Sequence, residues 1–276
     1  MSTRKYVGGE ELRKYAKKVA TKFQLHERAM FQTSGDTASW DEDKLRWDVK
    51  VTHKPKGGQD SQSTVHADFV FFAAGVLTNP HLPDIPGITD FRGHMFHTSR
   101  WDYDYTGGCI TDPVLSGLEG KRVGFIGTGA TAIQAVPHIA KYAKKLVVFQ
   151  RTPSAVDYRG NCDTDAETWE SKVATKKGWW KERNENFNSF MSNVEPKPEL
   201  DLVDDGWTHA PSYSVLAGSP RVVTMETVGQ HVEEMHALDY PRQEAIRQRT
   251  AQVVKDPKTA EKLQAWYPTW CKRACL

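Results

Sequence analysis

The sequence has little of what marks membrane-bound, secreted or metal-binding proteins. It has no apolar run of about 18 residues, the length that a membrane-spanning helix needs. Its first residues, MSTRKYVGGEELRKYAKK, lack the apolar core of a signal peptide. Its four cysteines form no CxxC pair and have no histidine partner at zinc-site spacing, which favours free thiols and no metal site. We therefore expect a cytoplasmic protein.

The sequence also lacks an excess of charge of either sign. It has 37 basic and 35 acidic residues, a formal net charge of +2. A broad nucleic-acid or membrane-binding surface is therefore not expected, because such surfaces carry a strong positive field. With 38% hydrophobic residues in 276, the chain is long enough to bury a sizeable core. We predict a small-molecule partner, with no nucleic acid and no membrane; the oligomeric state is not indicated.

The clearest local pattern lies at residues 121–151. KRVGFIG predicts a short buried strand, residues 128–142 predict a helix with apolar residues on one face, and KKLVVFQR predicts a second strand. A strand, a glycine turn, a helix and a parallel strand form a right-handed βαβ unit. The fold class predicted from this unit is α/β of the Rossmann type.

Three small residues occupy the GxGxxG/A positions of the turn. Gly127 permits the tight turn, Gly129 lets a pyrophosphate approach the backbone, and Ala132 lets helix and strand pack closely. The N-terminus of the helix offers free N–H groups to the phosphates. The turn predicts a dinucleotide site; the alternative is a glycine turn without a ligand.

The end of the second strand indicates which dinucleotide binds. Where NAD-binding proteins carry an acidic residue, this chain has Phe149, Gln150, Arg151 and Thr152. The planar guanidinium of Arg151 suits a 2′-phosphate. NADP is the predicted cofactor, and a surface arginine at a strand end is the alternative.

The remaining segments give simpler predictions. Residues 8–23 predict an amphipathic helix, and LRWDVKVTHK predicts a strand. Residues 69–72, FVFF, predict a strand buried on both faces. Two helical stretches follow later, residues 163–193 and a long one from Val228 onward that is broken at Pro241 and Pro257.

Residues 91–102, FRGHMFHTSRWD, resemble the FxGxxxHxxxW(P/D) fingerprint of the Baeyer–Villiger monooxygenases. The matching positions are Phe91, Gly93, His97, Trp101 and Asp102. The AAG strand end, GTGATA, QRTP and WYPTWCKRA stand in the order that this family shows. The chain resembles the family over nearly its whole length.

The resemblance implies an NADPH- and FAD-dependent monooxygenase that converts a ketone to an ester or lactone with oxygen. It implies cofactor contacts by Gly127, Gly129, Ala132, Arg151, Thr152 and Lys272, the last near the 2′-phosphate. Arg273 matches the arginine that stabilises negative charge beside the flavin. The resemblance also implies that His97 lies on a linker that couples cofactor binding to domain movement. Asp102 completes the set of candidate catalytic residues. Without the resemblance, Lys272 and Arg273 are an exposed basic pair.

The resemblance also implies a division of the chain. Residues 1–100 correspond to part of an FAD domain and a linker, 101–160 to the NADP-binding unit, and 161–276 to a helical insertion that covers the substrate and ends in the Lys–Arg segment. The family holds FAD on an earlier GxGxxG turn, and this sequence has none. We therefore expect this chain to bind NADPH much better than FAD. Two interpretations stay open: the chain is a fragment of a longer gene product, or it is a truncated relative that works differently.

Two other functions stay open from the residues alone. One is a cofactor-independent cyclase, dehydratase or isomerase of specialised metabolism. Its candidate acid–base groups are His94, His97, Asp102, Tyr103 and Asp104. The other is an inactive NADP-binding remnant. The sequence does not identify a substrate.

Overall fold

The computed structural model describes residues 1–75, 77, 79–192, 194–210, 212 and 222–271, and the backbone of 274–275. The chain divides into two compact units. Residues 9–101 form one, and residues 1–8 together with 102–276 form the other. We call them the sheet unit and the nucleotide unit. No helix in the described ranges is long and apolar enough to cross a membrane.

The sheet unit holds one helix and one antiparallel sheet. Helix α1, Gly9–Lys22, confirms the predicted amphipathic helix. The sheet has the order β1, Thr33–Asp41, β2, Arg46–His53, and β3, Ser61–Ala67. Strand β2 confirms the prediction from LRWDVKVTHK. Strand β1 was not predicted, because TSGDTASWD is mostly polar and shows little alternation. It forms because β2 pairs with it along its length, with one irregularity between Gly35 and Thr37.

The predicted buried strand at residues 69–72 is wrong. The segment lies outside any strand, and Phe69, Phe71 and Phe72 are 80%, 87% and 85% exposed. Strand β3 ends at Ala67, and no strand in the described part of the chain pairs with the residues after it. An extended segment without a neighbour has no ladder of hydrogen bonds and no surface to pack on, so apolar composition alone does not make it a strand.

The nucleotide unit contains the predicted βαβ unit. Strand β4, Arg122–Ile126, leads into helix α3, Ala130–Tyr142, and the chain returns in strand β5, Lys145–Phe149. The two strands pair in parallel, which confirms the predicted topology. Burial of β4 was overestimated, because only Phe125 is buried and Ile126 is 58% exposed. The cause is that β4 and β5 form a sheet of two strands within the described residues, which leaves much of its surface uncovered.

Short helical elements follow the βαβ unit. Helix α4, Ala166–Thr168, continues into a π-helical turn, Trp169–Val173, and is followed by α5, Trp179–Met191. These elements confirm the helical prediction for residues 163–193. A four-residue helix, α2, Tyr103–Thr106, precedes the βαβ unit.

The long predicted helical stretch forms helices α6, Val228–Val253, and α7, Pro257–Leu263. The predicted break at Pro241 is wrong, because α6 continues through it. Met235 and Ile246, on either side of the proline, are both buried. Packing on both sides offsets the hydrogen bond that a proline removes from a helix. The break at Pro257 is confirmed, since this residue stands in the first turn of α7.

The last described residues return to the βαβ unit. Strand β6, Ala155–Val156, follows β5 and pairs in parallel with β7, Ala274–Cys275. A small core lies beside this pair and contains Ala155, Ala210, Ile246 and Ala265. The fold therefore brings the WYPTWCKRA segment next to the residues that follow QRTP.

Candidate functional site

The glycine turn between β4 and α3 has the backbone that a phosphate cradle needs. Gly127 has a φ of +105°, which residues with a side chain rarely adopt. A Cβ atom placed on it would point into open space, with no described atom within 4 Å. Its N–H donates to the carbonyl of Phe149 at 2.9 Å, which fixes the turn against β5. The space beside the backbone is thus left open by the absence of a side chain.

The N-terminus of α3 fits an anion. Gly129 is its N-cap and supplies no side-chain hydrogen bond, and the first helical bond is from Ile133 N–H to Gly129 O at 3.1 Å. The N–H groups before Ile133 therefore have no partner within the helix and can donate to a ligand. They lie at the positive end of the dipole of a 13-residue helix. Ala132 is 5% exposed, in agreement with its expected role in close packing between helix and strand.

The segment after β5, residues 150–154, is tied to the glycine turn. Thr128 Oγ1 donates to the carbonyl of Thr152 at 3.4 Å, and Ser154 Oγ donates to the carbonyl of Thr128 at 2.5 Å. Arg151 is exposed, and within the described residues it forms no ion pair. Its guanidinium is therefore available to a ligand beside the turn. We name residues 150–154 the phosphate loop.

Tyr267 holds the phosphate loop from the other side. Its hydroxyl donates to the carbonyl of Pro153 at 2.5 Å and accepts from Ala155 N–H at 3.1 Å. Sequence reasoning missed Tyr267, although it lies inside the quoted WYPTWCKRA segment. A tyrosine there gives no local signal, because its partners lie 112 and 114 residues away.

Helix α6 anchors the segment that carries Tyr267. The carboxylate of Asp239 is 1% exposed and accepts from Thr269 N–H at 2.6 Å, Gln243 Nε2 at 2.7 Å and Ser212 Oγ at 2.8 Å. The hydroxyl of Thr269 is a fourth donor to it. Burial raises the pKa of the Cys271 thiol, and the negative charge of Asp239 adds to the effect. Asp239 was missed because its helical pattern does not distinguish a buried carboxylate from a solvated one.

Two predicted site residues, Lys272 and Arg273, lie outside the described residues. Their predicted roles stay predictions. The described chain reaches Cys271 before them, and the backbone of Ala274 follows them in β7.

The fingerprint is spread over both units. In the sheet unit, His97 is partly buried and caps a short helical turn, Thr98–Arg100; its Nδ1 accepts from Ser99 N–H at 3.2 Å. The ring of Phe91 lies over Gly93, where an added Cβ would stand 2.4 Å from it. This contact explains the pairing of phenylalanine and glycine in the fingerprint.

Asp102, in the nucleotide unit, caps the short helix α2. Its Oδ1 accepts from Tyr105 N–H at 3.0 Å. A carboxylate in this position stabilises the helix start, so the structure gives Asp102 a structural contact beside its predicted catalytic role. Of the other acid–base candidates, Tyr103 and Asp104 lie in α2. His94 lies before the helical turn, with its ring 5.9 Å from that of Phe96.

A second polar region surrounds the N-terminal residues. A cavity of about 490 Å³ is lined by Lys5, Arg159, Asp205 and Arg242, among others. Tyr6 donates to Asp205 Oδ2 at 2.9 Å; burial and then this hydrogen bond raise the pKa of Tyr6 to about 12. Opposite charges are already paired at this cavity, for example Arg242 with Asp157 at 3.1 Å.

The profile of the flavin-binding monooxygenase-like family matches residues 3–166. The chain belongs to this family. The match includes the fingerprint, the glycine turn and the phosphate loop, and it confirms the resemblance inferred from FRGHMFHTSRWD.

Individual members of the family are similar over the whole chain. The polycyclic ketone monooxygenase of Thermothelomyces thermophilus is 49% identical over 274 residues, 98% of this chain and 42% of that protein. The Chermesin D/asnovolin J monooxidase nvfH of Aspergillus novofumigatus is 45% identical over 280 residues, all of this chain and 42% of that protein. The chain thus spans about two fifths of the length of these relatives. Neither name supports the non-redox alternative.

Solved structures agree with the fold. The structure of the polycyclic ketone monooxygenase from Thermothelomyces thermophila superposes with a TM-score of 0.92 at 48% identity, over all of this chain and 44% of that one. An oxidized steroid monooxygenase bound to NADP superposes with a TM-score of 0.68 at 26% identity, over all of this chain and 49% of that one. The predicted α/β, Rossmann-type fold class is confirmed.

Proposed function

We propose that the whole protein is a Baeyer–Villiger monooxygenase that uses NADPH, FAD and oxygen to convert a polycyclic ketone to an ester or lactone. The observation that carries the proposal is the junction of three motifs in the nucleotide unit. The glycine turn, the phosphate loop and the WYPTWCKRA segment are joined by Ser154 and Tyr267. The ketone class rests on the polycyclic ketone monooxygenase, which is 49% identical.

In this proposal the turn and the start of α3 hold the pyrophosphate of NADPH. Gly127 leaves room for the phosphates, and the uncapped N–H groups before Ile133 donate to them. Arg151 and Lys272 pair with the 2′-phosphate, and Thr152 lies beside Arg151 in the phosphate loop. These residues orient the cofactor; NADPH supplies the reducing hydride.

FAD supplies the oxygen-activating chemistry when it is bound. In the sheet unit, the described residues contain an antiparallel sheet and no second strand–glycine turn–helix unit that would fit its pyrophosphate. We therefore assign no flavin contact within the sheet unit. Three proposed roles remain. Arg273 places a fixed positive charge beside the flavin. His97 couples cofactor binding to domain movement, and Asp102 is a catalytic candidate.

The test is an oxygen-transfer assay on the whole protein with NADPH, FAD, a polycyclic ketone and isotopically labelled oxygen gas. The expected result is an ester that contains one labelled oxygen atom, with one NADPH oxidised for each ester formed. Arg273→Ala should abolish ester formation and leave NADP⁺ binding in place. A product formed without NADPH and FAD, or an ester without label, would overturn the proposal and support a cyclase, dehydratase or isomerase.

A further inference from the structure

Tyr267 occupies an unusual position between two segments of the proposed NADP site. Its ring packs against the small core of Ala155, Ala210, Ile246 and Ala265. Its hydroxyl reaches the backbone on both sides of Ser154, by donating to Pro153 O at 2.5 Å and accepting from Ala155 N–H at 3.1 Å. The phenol of Tyr267 thus forms hydrogen bonds with one backbone carbonyl and one backbone N–H of residues 153–155.

These two bonds matter because one of the backbone groups they satisfy lies away from water. Ala155 is 2% exposed, so its N–H is removed from water and leaving it unpaired is costly. Ser154 between them donates to the carbonyl of Thr128 at 2.5 Å. Three consecutive residues, the last two of the phosphate loop and the first of β6, are therefore held, Ser154 by the glycine turn and its two neighbours by Tyr267.

We propose that Tyr267 is a positioning residue for cofactor selection, which fixes the phosphate loop so that Arg151 meets the 2′-phosphate of NADP. The inference rests on the proposed function. Arg151 stands two residues before Pro153, and its exposed side chain has no ion-pair partner within the described ranges that would orient it independently. The orientation of its guanidinium then depends on the backbone that Tyr267 holds.

The geometry also links cofactor selection to the Lys–Arg segment. Tyr267 lies five residues before Lys272 in the same chain segment. Asp239 fixes that segment two residues further on, at Thr269. A single phenol therefore joins the backbone that carries Arg151 to the backbone that leads to Lys272.

The experiment compares the affinities of the unsubstituted chain and of Tyr267→Phe for NADP⁺ and NAD⁺ by titration calorimetry. Phenylalanine keeps the packed ring and removes only the hydroxyl. We expect NADP⁺ affinity to fall about fivefold to tenfold, since the contact of a charged group is misplaced, and NAD⁺ affinity to change less than about twofold. A general loss of structure would lower both affinities alike, so the change in their ratio is the diagnostic reading.

Tyr240→Phe is the matched control, because Tyr240 is 60% exposed on α6 in the same unit. It should leave both affinities unchanged. If the unsubstituted chain binds NADP⁺ no better than NAD⁺, the proposed NADP site fails and this inference with it. If it prefers NADP⁺ and Tyr267→Phe keeps the same ratio, only the role of Tyr267 is overturned.

If Tyr267→Phe does not fold, a second measurement tests the inference without a substitution. Hydrogen exchange at the Ala155 amide is followed in the unsubstituted chain. Slow exchange is expected, because the N–H is buried and bonded to the phenol. Exchange at the rate of an unstructured peptide would overturn the inference.

Discussion

Phe125 and Phe71 both stand in short apolar runs, yet Phe125 is 9% exposed and Phe71 is 87% exposed. Phe125 lies in β4, which has β5 as a parallel neighbour and belongs to the same unit as the buried Ala132 and Ile139 of α3. Phe71 follows β3 in the sheet unit, where no described strand pairs with it. The same residue type contributes to a core in one unit and faces solvent in the other.

The difference shows that a residue's contribution to stability depends on the partners that distant segments of the chain supply. Three pairs of equal residue type allow the comparison to be tested: Asp239 with Asp36, Phe125 with Phe71, and Tyr6 with Tyr15. The first member of each pair has long-range partners in the nucleotide unit, and the second belongs to the sheet unit.

The largest effect is expected from Asp239→Ala. It leaves the buried donors of Thr269 and Ser212, and the partly buried amide of Gln243, without their acceptor. The free energy of unfolding of the nucleotide unit should fall by about 3–5 kcal/mol, measured by urea unfolding.

Two further variants sharpen this test. In Asp239→Asn the remaining carbonyl oxygen can accept from Thr269 N–H while the rotatable hydroxyl of Ser212 turns to accept from the new amide, so most of the loss should be recovered. In the sheet unit, the exposed Asp36 accepts from Thr52 Oγ1 at 2.6 Å, and Asp36→Ala should leave the midpoint of the nucleotide unit unchanged. If Asp239→Ala and Asp36→Ala lowered the free energy of unfolding of the nucleotide unit equally, the distinction between the two units would be contradicted.

The second effect in size is expected from Phe125→Ala. Removing a buried aromatic ring should lower the free energy of unfolding by about 3 kcal/mol. Phe71→Ala, the matched variant, should change it by less than about 0.5 kcal/mol and should reduce aggregation, because an exposed ring is removed. A large loss for Phe71→Ala, read by the same urea titration, would show that residues 69–72 are packed after all.

The smallest effect is expected at alkaline pH. Tyr6 has its pKa raised from 10.0 to about 12 by burial and by its hydrogen bond to Asp205, so the unfolded chain loses this proton first as pH rises. The stabilisation is therefore complete below about pH 10 and is lost between about pH 10 and 12.

The measurement is the urea midpoint across that pH range for the unsubstituted chain and for Tyr6→Phe. The difference between them should shrink as pH rises. Tyr15→Phe, at a side chain that is 65% exposed in α1, should follow the unsubstituted chain throughout. A constant difference for Tyr6→Phe would contradict the assignment.

The parts of the fold that were predicted correctly are local. The βαβ unit was predicted because β4, α3 and β5 follow one another within 28 residues, from Arg122 to Phe149, and each carries its own periodicity. Gly127 and Ala132 follow from the same short pattern. Strand β1 and the continuous α6 were not predicted, because pairing and packing overrode weak local preferences.

The sequence proposes candidate site residues only where one short motif contains them. Arg151 is proposed from its place after a strand, and its role stays a prediction. Tyr267 and Asp239 were not proposed, since their contacts are with residues far away in the chain. Asp239 meets Thr269 across 30 residues, and Tyr267 meets Pro153 across 114. The pattern of residues within one helix or strand gives no information on contacts over such distances in the sequence.

The hydroxyl of Tyr267 also sets an order of events during synthesis. The glycine turn and the phosphate loop leave the ribosome well before Tyr267, which comes 114 residues after Pro153. Until then the Ala155 N–H has no phenol to bond, and closing so long a loop is entropically unfavourable before its contacts form. The contact that holds the end of the proposed NADP-binding loop is therefore completed late in synthesis, after all residues of the βαβ unit have been made.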